Sequence, residues 1–296
     1  MLPNGLSPNY VYESDAPPEQ ILADMQAVRE LDDASERGKS RFTKIGCTGG
    51  GLLFLSFPAL VAIPDFPAVA LVPIAAITLI VIGVLGHKRQ SRTDFEDRRF
   101  ELLEELLGLL SADMPQGASV QVRMDLASPE TDEKQTDKGE LNGWKVQYYE
   151  DPWLRISGAL LDGTRFTLEQ TELHQRRSRW KTNARGKRKH KTKRRGALEA
   201  NVVLRYKPRK HTEIQALAEN ASGAVQMPPG VVVKKLSIGE KAALLRVRRK
   251  GDWVGQAATA EESASSAVHV HAMGLLSLYR VLNLSRTLSK KARDAS

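Results

Sequence analysis

The chain has 296 residues, of which 41% are hydrophobic, and a formal net charge of +9. Its single cysteine, Cys47, excludes an internal disulfide framework and any metal site built from several cysteines. The positive charge is concentrated, because residues 174–195 contain twelve Lys and Arg and no acid, which leaves −3 for the rest. The basic character therefore belongs to one segment and not to the whole chain.

The first 44 residues form an acidic arm. Residues 1–36 contain eight acidic side chains against the single Arg29. Apolar residues recur at helical spacing after two prolines, which suit the start of a helix. These residues are Ile21, Leu22, Met25, Val28 and Leu31. We predict an acidic arm over residues 1–44 that contains an amphipathic helix.

Two uncharged apolar blocks follow the acidic arm. They run from Ile45 to Ile63 and from Phe66 to Gly86, separated only by Pro64 and Asp65. As helices they would be about 28 and 31 Å long, which matches a hydrocarbon core of roughly 30 Å. A buried hairpin of a soluble protein is the alternative, but a core helix rarely lacks a polar face over such a length. We therefore predict a two-helix transmembrane hairpin over residues 45–86, in an integral membrane protein.

The charges that flank the blocks predict their orientation. Basic residues and one histidine lie on the outer sides of both blocks, whereas the connection between them carries only Asp65. The flanking residues are Arg37, Lys39, Arg41 and Lys44 before the first block and His87, Lys88, Arg89 and Arg92 after the second. Because positive flanks stay in the cytoplasm, both termini and everything after residue 86 are expected there.

Small residues in the first block provide a surface for helix packing. Gly46 and Gly50 form a GxxxG pair that lets another backbone approach closely, either that of the second block or that of a partner chain. Neither block contains an ionisable side chain of the kind that ion pathways and proton relays need. The hairpin is therefore interpreted as an anchor and not as a transporter.

The remaining chain predicts an α+β arrangement. Residues 87–114 carry a helical apolar pattern, and residues 115–258 alternate between apolar and polar residues in segments separated by turns. About seven strands are expected, in an antiparallel sheet or a small barrel, with a hairpin turn at Asp162 and Gly163. Residues 259–296 form a C-terminal amphipathic helix that is expected to pack on the sheet or on the helix after the spans.

The basic segment, residues 174–195, is predicted to be a β-ribbon that projects beyond the sheet and turns near residues 183–186. We call it the basic ribbon. The alternative is a disordered, solvated basic loop with no dedicated partner. Lys or Arg occupies nine of the ten odd positions from 177 to 195, so an extended chain would place them on one face. These candidate anion-binding residues, here called the cationic face, are Arg177, Arg179, Lys181, Arg185, Lys187, Lys189, Lys191, Lys193 and Arg195.

The sequence lacks the spacings of common catalytic sites. It contains no GxxxxGK[ST], HExxH, GxSxG or CxxC motif. His269 and His271 are two residues apart on a predicted helix, where they point in different directions. We therefore predict a non-enzymatic protein with no catalytic residue, no cofactor and no metal.

The predicted function is that of a membrane-anchored binding or scaffolding protein. Its basic ribbon would engage anionic membrane lipids or an acidic protein, since like charges that face each other across a ribbon call for an anionic partner. One alternative is a membrane-tethered nucleic-acid-binding protein that uses the same residues. Another is a small accessory subunit of a membrane complex, which would form an oligomer through the first span.

Overall fold

The structure is a computed structural model that describes residues 3–62, 71–90, 95–250 and 260–294. It is an α+β fold, as the sequence predicts, and it divides into two compact units. The sheet unit comprises Met1–Asp24 and Asp97–Ser296, and the helical unit comprises Met25–Glu96. The helical unit is thus inserted into the chain of the sheet unit.

Eight strands and five α-helices make up the regular structure of the described residues. The strands are β1 (Val11–Ala16), β2 (Val120–Asp125), β3 (Gln135–Leu141), β4 (Trp144–Ala159), β5 (Arg165–Thr182), β6 (Arg188–Arg205), β7 (Val231–Ile238) and β8 (Ala242–Lys250). The helices are α1 (Pro18–Ala62), α2 (Leu71–Gln90), α3 (Asp97–Ser111), α4 (Ile214–Ala218) and α5 (Ala260–Asp294). Three short 3₁₀ turns lie at Asp132–Lys134, Pro208–Lys210 and Ala221–Ala224.

All strands belong to one antiparallel sheet in the order β1-β2-β4-β5-β6-β8-β7, with β3 beside the first half of β4. Of the two predicted forms, the structure therefore has the open sheet and not the barrel, and it has one strand more than expected. The hairpin at Asp162 and Gly163 is present, with Gly163 at φ +83°. Its loop is longer than the two residues that the sequence indicated, because Leu160 and Thr164 close it with a hydrogen bond of 2.8 Å.

One face of the sheet forms the core with two helices. The even positions of β5 and β6 point to this face, among them Phe166, Leu168 and Val202, each 1% exposed. Helix α5 packs against β6 and against α3. Gly274 permits this approach, since a Cβ there would lie 2.9 Å from the Val202 side chain. The predicted packing of the C-terminal helix on the sheet and on the helix after the spans is thus observed for both partners.

The amphipathic pattern of the helix after the spans is confirmed by burial. Six residues of its apolar face are 6% exposed or less, and they are Phe95, Phe100, Leu103, Leu106, Leu107 and Leu110, whereas Leu109 on another face is 44% exposed. The helix itself begins at Asp97 and ends at Ser111, four residues before Pro115. Burial of this apolar stripe, at about 25 cal/mol per Å², is what holds the helix on the sheet.

Two features of the N-terminal arm differ from the sequence prediction. The arm begins with a strand, β1, which pairs with β2 from Val11↔Asp125 to Ala16↔Val120. The predicted amphipathic helix starts at Pro18 as expected, but it continues without interruption into the first apolar block, as one helix of 45 residues. A local pattern could not reveal the strand because its partner lies about a hundred residues further along the chain.

Within the helical unit, α1 and α2 run antiparallel and pack through glycines. A Cβ on Gly83 would lie 2.6 Å from the Gly46 Cα, and one on Gly49 would lie 2.8 Å from the Ala76 carbonyl oxygen. Gly46 is therefore part of an intramolecular helix contact. Gly50, the other member of the predicted GxxxG pair, has open space around its Cα, with nothing within 4 Å of an added Cβ.

One helix of the described residues, Leu71–Lys88, is long and apolar enough to cross a membrane, with a mean hydropathy of 2.0. We predicted two such helices, so on length and composition the prediction is supported for the second block and not for the first. The predicted turn at Pro64 and Asp65 lies outside the described residues.

Candidate anion-binding surface

The basic ribbon is the outer half of the β5-β6 hairpin. The two strands pair continuously from Arg165↔Arg205 to Thr182↔Arg188. Neighbouring strands hold the inner half on both sides, since β4 pairs with β5 only as far as Ser178 and β8 pairs with β6 only from Ala197 onwards. The outer residues form a two-stranded ribbon, so the predicted β-ribbon is observed.

Asn183 explains why one odd position lacks a cation. Its Oδ1 accepts hydrogen bonds from the backbone N–H groups of Arg185 (3.1 Å) and Lys187 (2.8 Å). Its own backbone N–H donates to the Lys187 carbonyl oxygen at 3.0 Å, and Gly186 takes a positive φ of +75°. A short polar side chain that bonds its own turn is what this position requires, and Lys or Arg cannot supply it.

The register of the hairpin places odd residues opposite odd residues, so the cations face each other. The pairs are Arg177↔Lys193, Arg179↔Lys191 and Lys181↔Lys189, while Arg195 lies opposite Gln175. Arg185 and Lys187 lie in the turn. Directly opposite side chains have Cβ atoms about 4.5–5.5 Å apart, a distance at which like charges destabilise a strand pair. In the described part of the chain, none of the nine residues forms a salt bridge.

Elsewhere on the same face of the sheet, several cations are paired with acids. Arg123 contacts Glu13 at 2.9 Å, Arg155 contacts Glu169 at 3.0 Å, and Arg248 pairs with Glu199. Each of these pairs neutralises its cation across neighbouring strands. The basic ribbon departs from this arrangement, because it replaces the acid of each pair with a second cation.

Trp144 at the start of β4 supports the inner end of the cationic face. The Arg179 guanidinium carbon lies 4.3 Å from the centre of its ring, and the Lys193 Nζ lies 5.7 Å from it. Such cation–π contacts are attractive, by about 0.5–1 kcal/mol at exposed sites. The sequence placed Trp144 on an alternating strand but gave no sign of which strand it would adjoin.

The opposite face of the ribbon is mixed in character. Arg176 and Arg194 both bind Glu130, with the shortest contact 2.6 Å from Arg194 Nε to Glu130 Oε1. Further out, the rings of Trp180 and His190 lie 5.0 Å apart. Trp180 is 63% exposed. This face therefore differs from the cationic face in having an acid, Glu130, bound to its cations, and an exposed aromatic side chain, Trp180, near its outer end.

A buried ionic cluster, which the sequence gave no indication of, lies beneath the inner end of the ribbon. It consists of Arg98, Arg99, Lys134, Asp151, Glu172 and His174. Arg99 is 1% exposed and donates to Asp151 Oδ2 at 2.7 Å and to the Asp125 carbonyl oxygen at 2.6 Å. Lys134 Nζ lies 2.8 Å from the other Asp151 oxygen. The cluster joins α3 to β4 and β5.

Glu172 is the acid at the centre of this cluster. Burial works to raise its pKa, but the hydrogen bond from His174 and the charges of Arg99 and Arg98 lower the pKa to about 2. His174 Nε2 lies 2.9 Å from Glu172 Oε2, and His174 is itself only 4% exposed. This histidine belongs to the 174–195 segment in sequence, yet it is part of the core and not of the exposed ribbon.

The two histidines of the C-terminal helix do not act together. His271 is buried, and its Nε2 lies 2.9 Å from Gln170 Oε1 on β5. Burial lowers the pKa of His271 to about 4, so the ring is neutral at ordinary pH. Within the described ranges, no group of three or more His, Cys, Asp or Glu side chains could hold a metal ion.

Comparisons with protein-family models, with curated proteins and with solved structures find no match to this chain. The class of protein is therefore defined by its own features. Its described residues form an α+β fold with an inserted helical unit, one helix that is long and apolar enough to cross a membrane, and a two-stranded ribbon whose cationic face forms no salt bridge.

Proposed function

We propose that this is a non-enzymatic, membrane-anchored binding protein whose cationic face binds the anionic headgroups of a lipid bilayer. The observation that carries the proposal is the run of three consecutive like-charged pairs along the ribbon, whose six cations form no salt bridge among the described residues. Each like pair destabilises the ribbon by a few tenths to about 1 kcal/mol. Against a negatively charged surface, the attraction of the cations to that surface would outweigh this repulsion, so each pair would favour the bound ribbon.

The pairing of β1 with β2 supports a two-helix anchor. One of these strands precedes the helical unit in the chain and the other follows it, yet they share six paired positions in one sheet. Two strands of one sheet must lie on the same side of a bilayer, so the chain between them crosses an even number of times. If Leu71–Lys88 crosses, a second segment must cross as well.

The apolar end of α1 is the segment that we propose for the second crossing. It packs antiparallel to α2 through Gly46 and Gly49. Its apolar side chains also point outward, since Phe54 is 78% exposed and Leu55 is 63% exposed. Exposed apolar side chains of this density suit contact with lipid tails. The basic flanks of both helices favour a cytoplasmic location for the sheet unit and both termini.

Lipid is favoured over nucleic acid as the ligand because of the anchor. A bilayer-anchored domain meets anionic headgroups at a high effective concentration, and each Lys or Arg near the surface contributes about 1 kcal/mol. Nonspecific binding of single-stranded nucleic acid relies on several stacking aromatics. In the described part of the ribbon beyond Ser178, Trp180 and His190 are the exposed aromatic side chains, and both lie on the side opposite the cationic face.

The test uses the full chain in nanodiscs, with an environment-sensitive fluorophore on Thr182→Cys in a Cys47→Ala background. Thr182 is exposed at the outer end of β5, and Cys47 is the only native cysteine. We expect the probe to report a less polar environment when phosphatidylglycerol replaces part of the phosphatidylcholine. The change should diminish as salt rises, because the Debye length falls from roughly 10 Å at 0.1 M to roughly 3 Å at 1 M.

Matched charge reversals identify the surface responsible. Changing Lys187, Lys189, Lys191 and Lys193 to Glu should abolish the response to phosphatidylglycerol. Changing Lys234, Lys235, Lys290 and Lys291 to Glu, four exposed lysines outside the ribbon, alters the net charge equally and should leave the response in place. An equal response from both variants would contradict the proposal. So would a probe that responds to added single-stranded DNA or RNA and not to anionic lipid.

A further inference from the structure

A shallow cavity of about 290 Å³ lies at the inner end of the basic ribbon, on the same face of the sheet as the cations. Its lining includes Tyr148 and Glu150 from β4, Leu173 from β5, Arg195 and Ala197 from β6, and Arg248 from β8. Strand pairing fixes this arrangement, because Tyr148↔Gln175↔Arg195 and Glu150↔Leu173↔Ala197 form two adjacent rows across the sheet. The cavity thus continues directly from the row that contains Arg177 and Lys193.

The cavity has a cationic side and an anionic side. Arg195 is exposed and forms no salt bridge within the part of the chain described. Arg248 also lines the cavity, but it lies opposite Glu199, four residues from Arg195 along the direction of β6, and is paired with that acid. Across the cavity, Glu150 is exposed and likewise has no ion-pair partner among the described residues. The backbone of Arg195 lies two strand-to-strand spacings from that of Glu150 across the sheet, and two residues away from it along the strand direction. At ordinary sheet spacings this corresponds to about 12 Å.

The surface between these charges is largely apolar, with Gln175 as the polar residue beside Arg195. Leu173 and Ala197 lie in the row that Glu150 begins, and the Tyr148 ring adjoins them in the next row. A small side chain at Ala197 leaves room above the sheet at this point. Because the two opposite charges are each unpaired and are separated by a largely apolar floor, their complement is a small group with a negative and a positive end.

We propose that this cavity binds the headgroup of an amine-bearing phospholipid, with the phosphate at Arg195 and the primary ammonium at Glu150. A simple anion suits the cavity less well, since Glu150 would repel it. A quaternary ammonium, as in choline, carries no N–H to donate to the Glu150 carboxylate. The proposal rests on the proposed function, because it assumes that the cationic face is held against a bilayer.

The experiment holds the membrane charge constant and changes only the neutral lipid. The full chain, labelled at Thr182→Cys in the Cys47→Ala background, is placed in nanodiscs that contain a fixed fraction of phosphatidylglycerol. The remainder is either phosphatidylcholine or phosphatidylethanolamine. We expect phosphatidylethanolamine to increase the ratio of bound to free ribbon about threefold, in the range of an exposed ion pair. No increase would overturn the proposal.

Two variants distinguish the cavity from general effects of phosphatidylethanolamine on the bilayer. Glu150→Gln removes the ammonium partner, and Ala197→Leu fills the cavity without changing the charge. Both should lose the threefold increase. Glu140→Gln makes the same charge change on an exposed residue of β3 outside the cavity lining, and should retain the increase. An increase that survives in Glu150→Gln, or that disappears in Glu140→Gln, would overturn the proposal.

The outcomes separate this inference from the function on which it rests. All of these variants keep the nine cations, so each should still respond to phosphatidylglycerol. A response to phosphatidylglycerol without any preference for phosphatidylethanolamine over phosphatidylcholine would contradict this inference and leave the proposed function standing. The absence of any response to phosphatidylglycerol or to phosphatidylethanolamine would contradict both the inference and the proposed function. Competition by soluble sn-glycero-3-phosphoethanolamine, but not by inorganic phosphate, is expected if the whole headgroup is recognised. Equal competition by the two would overturn the assignment of Glu150.

Discussion

Single residues of this protein carry charge in two different ways. On the basic ribbon, cations are exposed and face each other, and the surrounding water screens them. In the buried ionic cluster, Arg99 and Glu172 are each 1% exposed, and they are stable there because hydrogen bonds and opposite charges surround them. The effect of removing a charge should therefore depend strongly on its location.

The buried ionic cluster makes Arg99 a residue on which the sheet unit depends. We expect Arg99→Met to lower the free energy of unfolding by about 3–5 kcal/mol, because it leaves Asp151 and Glu172 buried without their central cation. Thermal unfolding of the full chain in a neutral detergent measures this. Arg155→Met serves as the control, since its pair with Glu169 is exposed, and it should cost at most about 1 kcal/mol. Equal losses would contradict the account of the cluster.

The buried His271 predicts a loss of stability in mild acid. Its pKa is lowered to about 4 in the folded protein, so between pH 6.5 and 4 the unfolded chain binds a proton that the folded chain does not. Stability should therefore fall as the pH drops through this window, by on the order of 3 kcal/mol. The low pKa of Glu172 lowers the stability at more acidic pH, between the ordinary glutamate pKa of 4.5 and about 2.

A comparison of variants isolates the histidine. In His271→Gln, the decline of the unfolding temperature between pH 6.5 and 4 should become shallower. It should not vanish, because burial also lowers the pKa of His211. An unchanged decline would show that the titration of His271 does not control stability in this range.

At the scale of the element, prediction from sequence succeeded where a strand or helix has a periodic apolar face. The alternation in β2 and the stripe of α3 are local, and burial follows both. The polar segment that forms strand β3 predicts a loop, because its residues do not alternate between apolar and polar. In the structure it is a strand with six of its seven residues exposed. The Asn142-Gly143 pair, with φ +50° and +72°, was the signal that could have revealed it.

The like-charged pairs of the ribbon predict that one charge reversal stabilises it. Lys191→Glu places an acid opposite Arg179, so we expect the ribbon to gain roughly 0.2–1 kcal/mol. Amide hydrogen exchange of β5 and β6 in neutral detergent, without anionic lipid, measures this gain. Lys187→Glu is the control, because its residue lies in the turn and has no cation directly opposite. Faster exchange in Lys191→Glu would contradict the proposed repulsion.

The contact between α1 and α2 depends on glycine at particular positions. Gly83→Ala should destabilise the helical unit, since the added Cβ would lie 2.6 Å from the Gly46 backbone. Gly50→Ala adds the same atom where nothing lies within 4 Å, and should be neutral or stabilising because alanine favours helix. Thermal loss of helical circular dichroism in detergent compares the two variants. Equal stability would argue against close packing at Gly83.

At the scale of the whole molecule, pairings between residues far apart in the chain could not be predicted from the sequence. The composition indicated an anchor, a sheet and a basic ribbon, whereas the membership of β1 in the sheet depends on β2, beyond the helical unit. The buried ionic cluster could not be predicted for the same reason, because its charged side chains come from α3, a 3₁₀ turn, β4 and β5. Each of these residues alone has the sequence context of a surface charge.

The proposed even number of crossings gives a test of topology. In a Cys47→Ala background, single cysteines at Asn9 and Thr182, both exposed, should react with an impermeant maleimide from the same side of sealed membrane vesicles. Inverted vesicles should expose both, and right-side-out vesicles neither. Reaction of the two positions from opposite sides would contradict the two-helix anchor.

The pairing of β1 with β2 also bears on how the protein is made. The first strand leaves the ribosome early, but its partner is synthesised about a hundred residues later, after both apolar helices. At about 5–20 residues per second, β1 waits for several seconds or longer without its neighbour. Under the proposed two-helix anchor, membrane insertion comes before closure of the sheet, and β1 must stay on the ribosomal side until the strand that pairs with it arrives.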